Sequence, residues 1–228
     1  MDGNSLFALW RWEDLFAHWH LFVDGFLMTI GVVILGLCLA LCLGVIFGLL
    51  STSSIGIFRA FARIYVEFFQ NTPLVIQVFF LYNGLPILGV VLDVFTIGVL
   101  GVGLYHGAYV SEVIRTGITS IAKGQFEAAQ AQGFTYAQKM AYIILPQTIK
   151  IILPPLTNQA VNLIKNTSVL SIIAGADLMY SADSYASNSL NYAPAYMLCG
   201  LLYFLLCFPL AKFARFYEDS LKSKELIR

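Results

Sequence analysis

The sequence predicts an all-α membrane protein with about five transmembrane helices, and two observations indicate this class. Of the 228 residues, 59% are hydrophobic and only 11% are charged, and the mean hydropathy is +0.78. A soluble domain, by contrast, is about one-quarter charged. The apolar residues also form long runs, and a helical span needs roughly 20 of them. We therefore expect residues 1–228 to form a single transmembrane domain, with no separate soluble domain.

The distribution of basic residues predicts the orientation of five spans. These spans are residues 22–50, 58–83, 93–114, 142–164 and 193–214. One side of the membrane then carries Arg59, Arg63, Arg115, Lys123, Lys139, Lys212, Arg215, Lys222, Lys224 and Arg228. Because cytoplasmic loops are enriched in Lys and Arg, this side is predicted to be cytoplasmic. The N-terminus is then outside and the C-terminus inside.

The segment before the first span is dense in aromatic and apolar side chains. Its members are Leu6, Phe7, Leu9, Trp10, Trp12, Leu15, Phe16 and Trp19. This composition is typical of an amphipathic helix in the membrane interface, so we predict that residues 1–21 lie on the outer surface. The span that follows is too long, and its flanks too aromatic, for a cleaved signal peptide.

Glycines in the first span predict a close helix contact. Gly44 and Gly48 stand four residues apart, and small residues at this spacing let two helices approach closely. The contact is either packing within this chain or a seam to another subunit, and the sequence leaves both open.

The second span carries a carboxylate and a proline. Glu67 follows Arg63 by four residues, the spacing of a helical ion pair, although a carboxylate inside a span also marks functional sites. Pro73 removes one backbone donor and frees the carbonyl four residues earlier. Inside a membrane such groups must find partners, and Asn71 and Thr72 are placed to provide them.

The fourth span combines prolines with amides. Pro146, Pro154 and Pro155 predict that its helix is broken or kinked. Asn158 and Asn162 are four residues apart and therefore share one helix face. Amides on one face of a span need partners across a helix interface or in a hydrated pocket.

The remaining polar residues favour structural roles. His106 stands alone in the third span, which predicts a packed or hydrogen-bonded side chain. Residues 176–192 are polar and expected to lie outside the membrane. Four cysteines lie inside predicted spans without Cys-x-x-Cys spacing, namely Cys38, Cys42, Cys199 and Cys207. We expect them to act as small apolar residues rather than in disulfides or metal sites.

Between the third and fourth spans, residues 117–139 predict two short helices joined by a rigid turn. Three alanines within 128–131 are strong helix formers. Gly133 can adopt the left-handed conformation that ends a helix. Thr135 and Gln138 have the spacing of a capping box, which starts the next helix.

The spacing of this segment resembles the EAA loop of the membrane subunits of bacterial ABC importers. It consists of Glu127-Ala128-Ala129, three residues, Gly133, nine residues, and Ile143-Ile144-Leu145-Pro146. Because the match is long and gapped at fixed distances, it is more specific than a three-residue motif.

Residues 65–77, 108–133 and 153–171 further resemble the polar amino acid permeases of that family. Gln70 and Asn71 depart from the Arg-Gly pair that is usual there, so no role that requires an arginine is assigned to this position. The resemblance extends from Tyr65 to the end of the fifth span.

The resemblance implies the type I ABC importer permease fold, in which this loop forms a cytoplasmic coupling helix that sits in a groove of a separate ATPase. The residues assigned to coupling are Phe126, Glu127, Ala128, Ala129, Gly133, Phe134, Leu145 and Pro146. The implied location is the bacterial cytoplasmic membrane, in contact with lipid, and the implied substrate is a polar amino acid.

The resemblance also implies three kinds of protein partner. They are two ATPase subunits, a second permease subunit that is either the same or a homologous chain, and an external substrate-binding protein. ATP and Mg belong to the ATPase, because the present chain has no phosphate loop of the form Gly-x-x-x-x-Gly-Lys-Ser/Thr. We expect it to bind no cofactor, metal or nucleic acid itself and to perform no catalysis.

We predict a substrate path at the two proline-interrupted spans. Irregular backbone at membrane depth is tolerated where it lines an enclosed or hydrated cavity, and discontinuous helices hold the sites of other transporters. The residues assigned to this path are Glu67, Thr72, Gln77, Asn158 and Asn162, with Glu67 nearest the cytoplasmic mouth. In the alternative, the two asparagines only hold helices together, each contributing roughly 0.6 kcal/mol.

Two other classes of function are weaker. An ion-coupled secondary carrier or channel usually needs charged groups inside the membrane, and such pairs are nearly absent. Five spans also do not divide into two inverted repeats. A membrane enzyme is disfavoured because the loops contain no His/Asp/Glu cluster, Ser–His arrangement or metal-ligand spacing. The leading hypothesis is therefore the permease subunit of an ATP-driven importer of polar amino acids.

Overall fold

A computed structural model describes the backbone of residues 8–225 and the side chains of residues 8–220. Within that part of the chain, every regular element is helical. The α-helices are α1 (Leu9–Ala17), α2 (Trp19–Ser51), α3 (Gly56–Gln70), α4 (Leu74–Phe79), α5 (Val94–Thr119), α6 (Lys123–Ala131), α7 (Tyr136–Lys139), α8 (Leu145–Asn166), α9 (Leu178–Ser189) and α10 (Tyr192–Glu225). Wider π turns occupy Phe80–Gly84 and Met140–Ile144, and tighter 3-10 turns occupy Leu85–Leu88 and Thr167–Ile173.

The membrane spans agree with the predicted count. Among the described residues, four helical segments are long and apolar enough to cross a membrane, namely Trp19–Ser51, Val94–Thr119, Tyr136–Ile173 and Tyr192–Ser220. A fifth candidate is the pair Gly56–Gln70 and Leu74–Leu88, which is bent by 96°. The prediction of an all-α membrane protein with about five spans is confirmed.

Pro73 stands at the bend in the second span, and the side chains of Asn71 and Thr72 bond backbone carbonyls just before it. The Asn71 amide donates to the Glu67 carbonyl at 2.8 Å, and the Thr72 hydroxyl donates to the Phe68 carbonyl at 2.8 Å. After Phe79 the chain stays helical, because π and 3-10 turns continue the winding from α4 to Leu88.

The chain divides into two compact units. The first contains the chain up to Cys38 together with Pro73–Gly103 and Asn162–Pro209, and the second contains Leu39–Thr72, Leu104–Val161 and the chain from Leu210. Helices α2, α5, α8 and α10 each continue from one unit into the other along the chain.

The core of the first unit joins the N-terminal helices to α9. Leu15 and Phe22 are buried with Leu178, Ala182 and Tyr185. Polar contacts accompany this packing, because Arg11 donates to Asn191 at 2.8 Å and Tyr185 donates to Asp14 at 2.7 Å. The predicted N-terminal helix is present as α1, while Leu6 and Phe7 lie outside the described residues and the location at the outer membrane surface stays a prediction.

Helix α9 lies within the polar stretch 176–192, where no helix was expected. Asp177 begins it, because its side chain accepts a hydrogen bond from the Met179 amide at 3.0 Å. The same carboxylate is fully buried, and its second oxygen has no hydrogen-bond partner. Asp177 lies outside the candidate spans, and burial raises its pKa to about 6.

The core of the second unit packs α5 against α8 and the π turn before it. Ile114 and Ile118 are buried with Ile144 and Ile152. Gly48 faces this core, since a side chain there would place its Cβ 2.8 Å from the Cβ of Ile114. Gly44 likewise faces Val110 of α5. The glycine pair therefore serves close packing within the chain, which was one of the two alternatives.

The fourth span is not broken at its paired prolines. Helix α8 runs from Leu145 to Asn166 with Pro154 and Pro155 inside it. The irregular part instead precedes the helix, in the π turn Met140–Ile144. Side chains also bond the backbone of this region, since Thr148 donates to the Ile144 carbonyl at 2.9 Å and Thr157 to the Leu153 carbonyl at 2.9 Å.

Candidate functional site

The predicted coupling segment is a short helix closed by a specific turn. Helix α6 ends at Ala131, and Gly133 follows it in the left-handed conformation with φ of 79°. The Gly133 amide donates to the Gln130 carbonyl at 3.0 Å, and the Phe134 amide donates to the Ala129 carbonyl at 3.1 Å. These two bonds form a Schellman motif, which supplies partners for carbonyls that the helix end leaves free.

The next helix begins at once with the predicted capping box. The Thr135 amide donates to the Gln138 side chain at 2.9 Å, and the Gln138 amide donates to the Thr135 hydroxyl at 3.4 Å. Because both helix ends at this turn are bonded, the segment is a fixed elbow rather than a loose loop. This local prediction is confirmed.

The two faces of α6 differ in what they offer to a partner. Ala129 is buried within the chain at 1% exposure, so its side chain does not reach the surface. We expected it to pack directly against the ATPase, and its position requires a different role, which is to let α6 lie close to its own chain. Glu127 and Ala128 are exposed.

The other predicted coupling residues surround this helix. Phe126 and Leu145 are partly buried and pack against the core of the second unit, which contains Ile144. Phe134 is partly buried directly after the turn, and Pro146 is exposed near the start of α8. Phe126 and Leu145 therefore hold the segments on either side of the elbow against this core.

The residues predicted to line a substrate path fall into both compact units. Glu67, Thr72 and Asn158 belong to the second unit, whereas Gln77 and Asn162 belong to the first. Asn158 and Asn162 are exposed on α8, and Gln77 is buried on α4. The shared cavity expected for the five residues stays a prediction.

Glu67 has the helical ion-pair partner that its spacing predicted. The Nε of Arg63 lies 3.6 Å from its carboxylate, and both side chains are more than half exposed. His106, on α5, is buried and lies 3.4 Å from the Gln159 side chain, as expected for a packed, hydrogen-bonded histidine.

Two cavities of the second unit involve residues that were not assigned to any site. One of about 660 Å³ lies between α3 and the end of α5, and another of about 340 Å³ lies between α5 and α8. Glu112 lines both, and it accepts a hydrogen bond from Arg115 at 2.8 Å. Two ionisable residues three apart on a spanning helix are a signal of function that could have found this pair.

Comparison with known proteins identifies the family. Residues 40–223 match the family described as the binding-protein-dependent transport system inner membrane component. The chain belongs to this family. It is thus a multi-pass transport permease of a bacterial inner membrane.

Individual relatives of this permease agree over nearly its whole length. It is 40% identical over 208 residues to the probable glutamine ABC transporter permease GlnM of Bacillus subtilis, covering 91% of this chain and 96% of that protein. It is 35% identical over 204 residues to the arginine transport system permease ArtQ of the same organism, covering 89% and 93%.

A solved structure confirms the fold. A chain from the crystal structure of an amino acid ABC transporter with histidines matches with a TM-score of 0.84 and 34% identity, over 91% of this permease and 97% of that chain. The predicted ABC importer permease fold is therefore confirmed.

Proposed function

We propose that this permease carries polar amino acids into the bacterial cytoplasm, with glutamine as the first candidate, and that a separate ATPase drives it through α6. The closed elbow at Gly133 carries the proposal, because a helix fixed at its end can transmit a displacement that a loose loop would absorb. The substrate class rests on the relatives that are named for glutamine and arginine transport.

The proposed orientation places the elbow in the cytoplasm. Among residues 8–220, eight of the ten lysines and arginines belong to the second compact unit, which also contains α6. By the positive-inside rule, this unit carries the cytoplasmic loops and the first unit carries the external ones. The N-terminus would then lie outside and the C-terminus inside.

The proposed assembly contains two permeases, two ATPase subunits that hold ATP and Mg, and an external substrate-binding protein. The family description names dependence on a binding protein, which supports the external partner. The ATPase is proposed to contact the exposed face of α6, with Glu127 and Ala128 at the surface and Ala129 holding the helix against its own chain.

Replacing Ala128 with arginine tests the docking face. Ala128 is exposed, so Ala128→Arg adds bulk and charge where the ATPase is proposed to pack without disturbing the core. We expect ATPase binding to weaken by about tenfold or more, the size of a lost interface anchor. Copurification of the ATPase with the detergent-solubilised permease measures this.

Ala137→Arg is the matched control, because Ala137 is also exposed but lies on α7. It should retain the ATPase. If Ala128→Arg also retains the ATPase and supports transport at the unmodified rate, α6 is not the docking element.

Uptake by reconstituted vesicles tests the substrate and the energy source. Vesicles that contain the complete transporter, the external binding protein and enclosed ATP should accumulate glutamine, and an uncoupler should leave this unchanged. Uptake that requires an ion gradient and no ATP would instead support the secondary carrier.

A further inference from the structure

The larger cavity of the second unit presents a row of charged side chains. Arg59, Arg63 and Glu67 stand four residues apart on α3 and therefore share one face. Glu112 and Arg115 of α5 line the same cavity of about 660 Å³. Pockets for small molecules fall in this size range.

The charges of this row do not cancel. Arg63 pairs with Glu67 at 3.6 Å, and Arg115 pairs with Glu112. Arg59 donates instead to two backbone carbonyls, those of Ser53 at 2.8 Å and Ser54 at 2.9 Å. Among residues 8–220 it has no carboxylate partner, so one guanidinium charge in the cavity is left without a counterion from the chain.

The ion pair between Arg63 and Glu67 is able to exchange partners. The side chains of Arg63 and Glu67 are 78% and 66% exposed, and pairs of this kind are worth only about 0–1 kcal/mol. An incoming ligand that carries both a carboxylate and an ammonium group can therefore replace part of the existing pairing at small cost.

We propose that this cavity binds the head group of a free amino acid, with the α-carboxylate at Arg59 and the α-ammonium at the carboxylates of Glu67 and Glu112. This rests on the proposed function for the identity of the ligand class, and it places Glu67 of the assigned path in a cavity that Asn158 and Asn162 do not line. A guanidinium holds a carboxylate through two parallel hydrogen bonds, which suits Arg59 to the first contact.

The lining also predicts which ligands are excluded. Inorganic phosphate and an acidic lipid phosphate can pair with Arg59 but carry no ammonium group for the two carboxylates, so we expect them to bind more weakly than an amino acid. The net positive lining in turn disfavours an amino acid with a cationic side chain. Glutamine and glutamate should therefore bind better than arginine.

The adjoining cavity gives the ligand's side chain a polar neighbourhood. Glu112 lines both cavities, and the second, of about 340 Å³, is also lined by Gln70, Tyr109 and Gln159. Amide and hydroxyl groups can exchange hydrogen bonds with the side-chain amide of glutamine. The preference for glutamine thus has a second contribution that does not depend on charge.

Protection of a single cysteine tests the site in the assembled transporter. Ala60 lines the cavity and is exposed, so Ala60→Cys, with the four native cysteines replaced, reports on its occupancy. The transporter is placed in lipid nanodiscs without ATP and without the external binding protein. Glutamine at millimolar concentration should slow maleimide labelling, whereas inorganic phosphate and arginine should have little effect.

Substitutions of arginine residues test whether the slower labelling is caused by glutamine bound in the cavity. Arg59→Gln should raise the glutamine concentration needed for protection by about tenfold or more, the usual effect of losing a charge-assisted hydrogen bond. Arg59→Lys keeps the charge without the forked geometry and should give a smaller shift. Arg215→Gln removes an exposed arginine of α10 that does not line the cavity and should give no shift.

Three results would overturn the proposal: no protection by glutamine, equal protection by phosphate, or full protection in a folded Arg59→Gln transporter. Uptake in the same preparation, once the binding protein and ATP are added, separates this proposal from the proposed function. ATP-driven uptake without protection overturns the cavity site alone. Protection without uptake supports the cavity site and overturns the proposed transport.

Discussion

At the scale of single residues, Asp177 shows a conflict between capping and burial. Its carboxylate starts α9 by accepting the Met179 amide, yet the residue is fully buried and one oxygen is unpartnered. Burial disfavours the charged form and raises the pKa to about 6. The group therefore lowers the stability of the folded protein as pH rises above its ordinary pKa of about 4, and this loss is complete above about pH 6.

Asp177→Asn should raise stability at neutral pH and leave it unchanged in acid. Asparagine caps a helix about as well as aspartate and carries no charge. The native carboxyl group binds its proton more tightly in the folded state than in the unfolded state. The free energy of unfolding therefore falls as pH rises from about 4 to about 6. We expect a gain of about 1–3 kcal/mol above pH 6, since each unit of pKa shift corresponds to about 1.4 kcal/mol.

Thermal unfolding of the detergent-solubilised permease from pH 4 to 8 measures this gain. The two proteins should converge near pH 4. A constant difference across the whole range would contradict the assignment of the effect to this carboxyl group.

Substitutions of Asn158 and Asn162 can distinguish a role in the substrate path from a role in holding helices together. If they line the substrate path, Asn158→Leu and Asn162→Leu should lower uptake severalfold or change the preference among glutamine, glutamate and arginine, while the ATPase stays bound. If they only join helices, each substitution should lower stability by roughly 0.6 kcal/mol and leave preference unchanged. Unchanged uptake kinetics in both variants would remove these amides from the path.

At the scale of elements, the elbow after α6 depends on one backbone conformation. Gly133 has φ of 79°, and nothing lies within 4 Å of the position that a Cβ would occupy. Steric crowding by neighbours is therefore absent, and the backbone alone requires glycine. A residue with a Cβ pays roughly 1–2 kcal/mol to adopt this conformation.

Gly133→Val should open the Schellman turn and uncouple ATP hydrolysis from uptake. Gly200→Val is the control, because Gly200 is equally free of neighbours, does not have a positive φ and lies on α10 rather than α6. We expect Gly133→Val to reduce glutamine uptake severalfold in vesicles that contain the complete transporter, and Gly200→Val to have a smaller effect. Equal uptake by the two variants would show that the closed turn is not needed.

The elements that the sequence predicted well are those set by neighbouring residues. The elbow could be predicted because glycine conformation and capping bonds involve residues at most five apart. Helix α9 was missed because its Ser, Asn and Asp residues are typical of loops, although Leu178, Ala182 and Tyr185 do recur at helical spacing and Asp177 supplies a cap. The outward position of Ala128 and the inward position of Ala129 were not predictable, because they depend on packing against distant segments.

At the scale of the whole molecule, the two units differ in charge in the way that the proposed orientation requires. The first unit contains Asp14, Asp93, Asp177 and Asp183, whereas most of the basic residues among the described side chains belong to the second. The residues predicted to line a substrate path fall in both units, because spacing along one helix does not reveal which other helix faces it.

Labelling of single cysteines tests the orientation directly. In a protein without native cysteines, Ser187→Cys should react with a membrane-impermeant maleimide added outside intact cells, because Ser187 is exposed on α9. Lys123→Cys, exposed at the start of α6, should react only after the membrane is opened. Reaction of Lys123→Cys from outside would overturn the five-span topology.

In the proposed coupling, the fourth span would act as a lever, because its helical winding continues without a break from the elbow. Tyr136–Ile173 forms one helical segment of 38 residues. Its first residue follows the capped turn directly, so a displacement of α6 would reach this segment with little slack. Pro154 and Pro155 lack amide donors near the middle of the segment, which makes it most compliant there. A stroke of the ATPase would accordingly tilt the part of the segment that precedes these prolines.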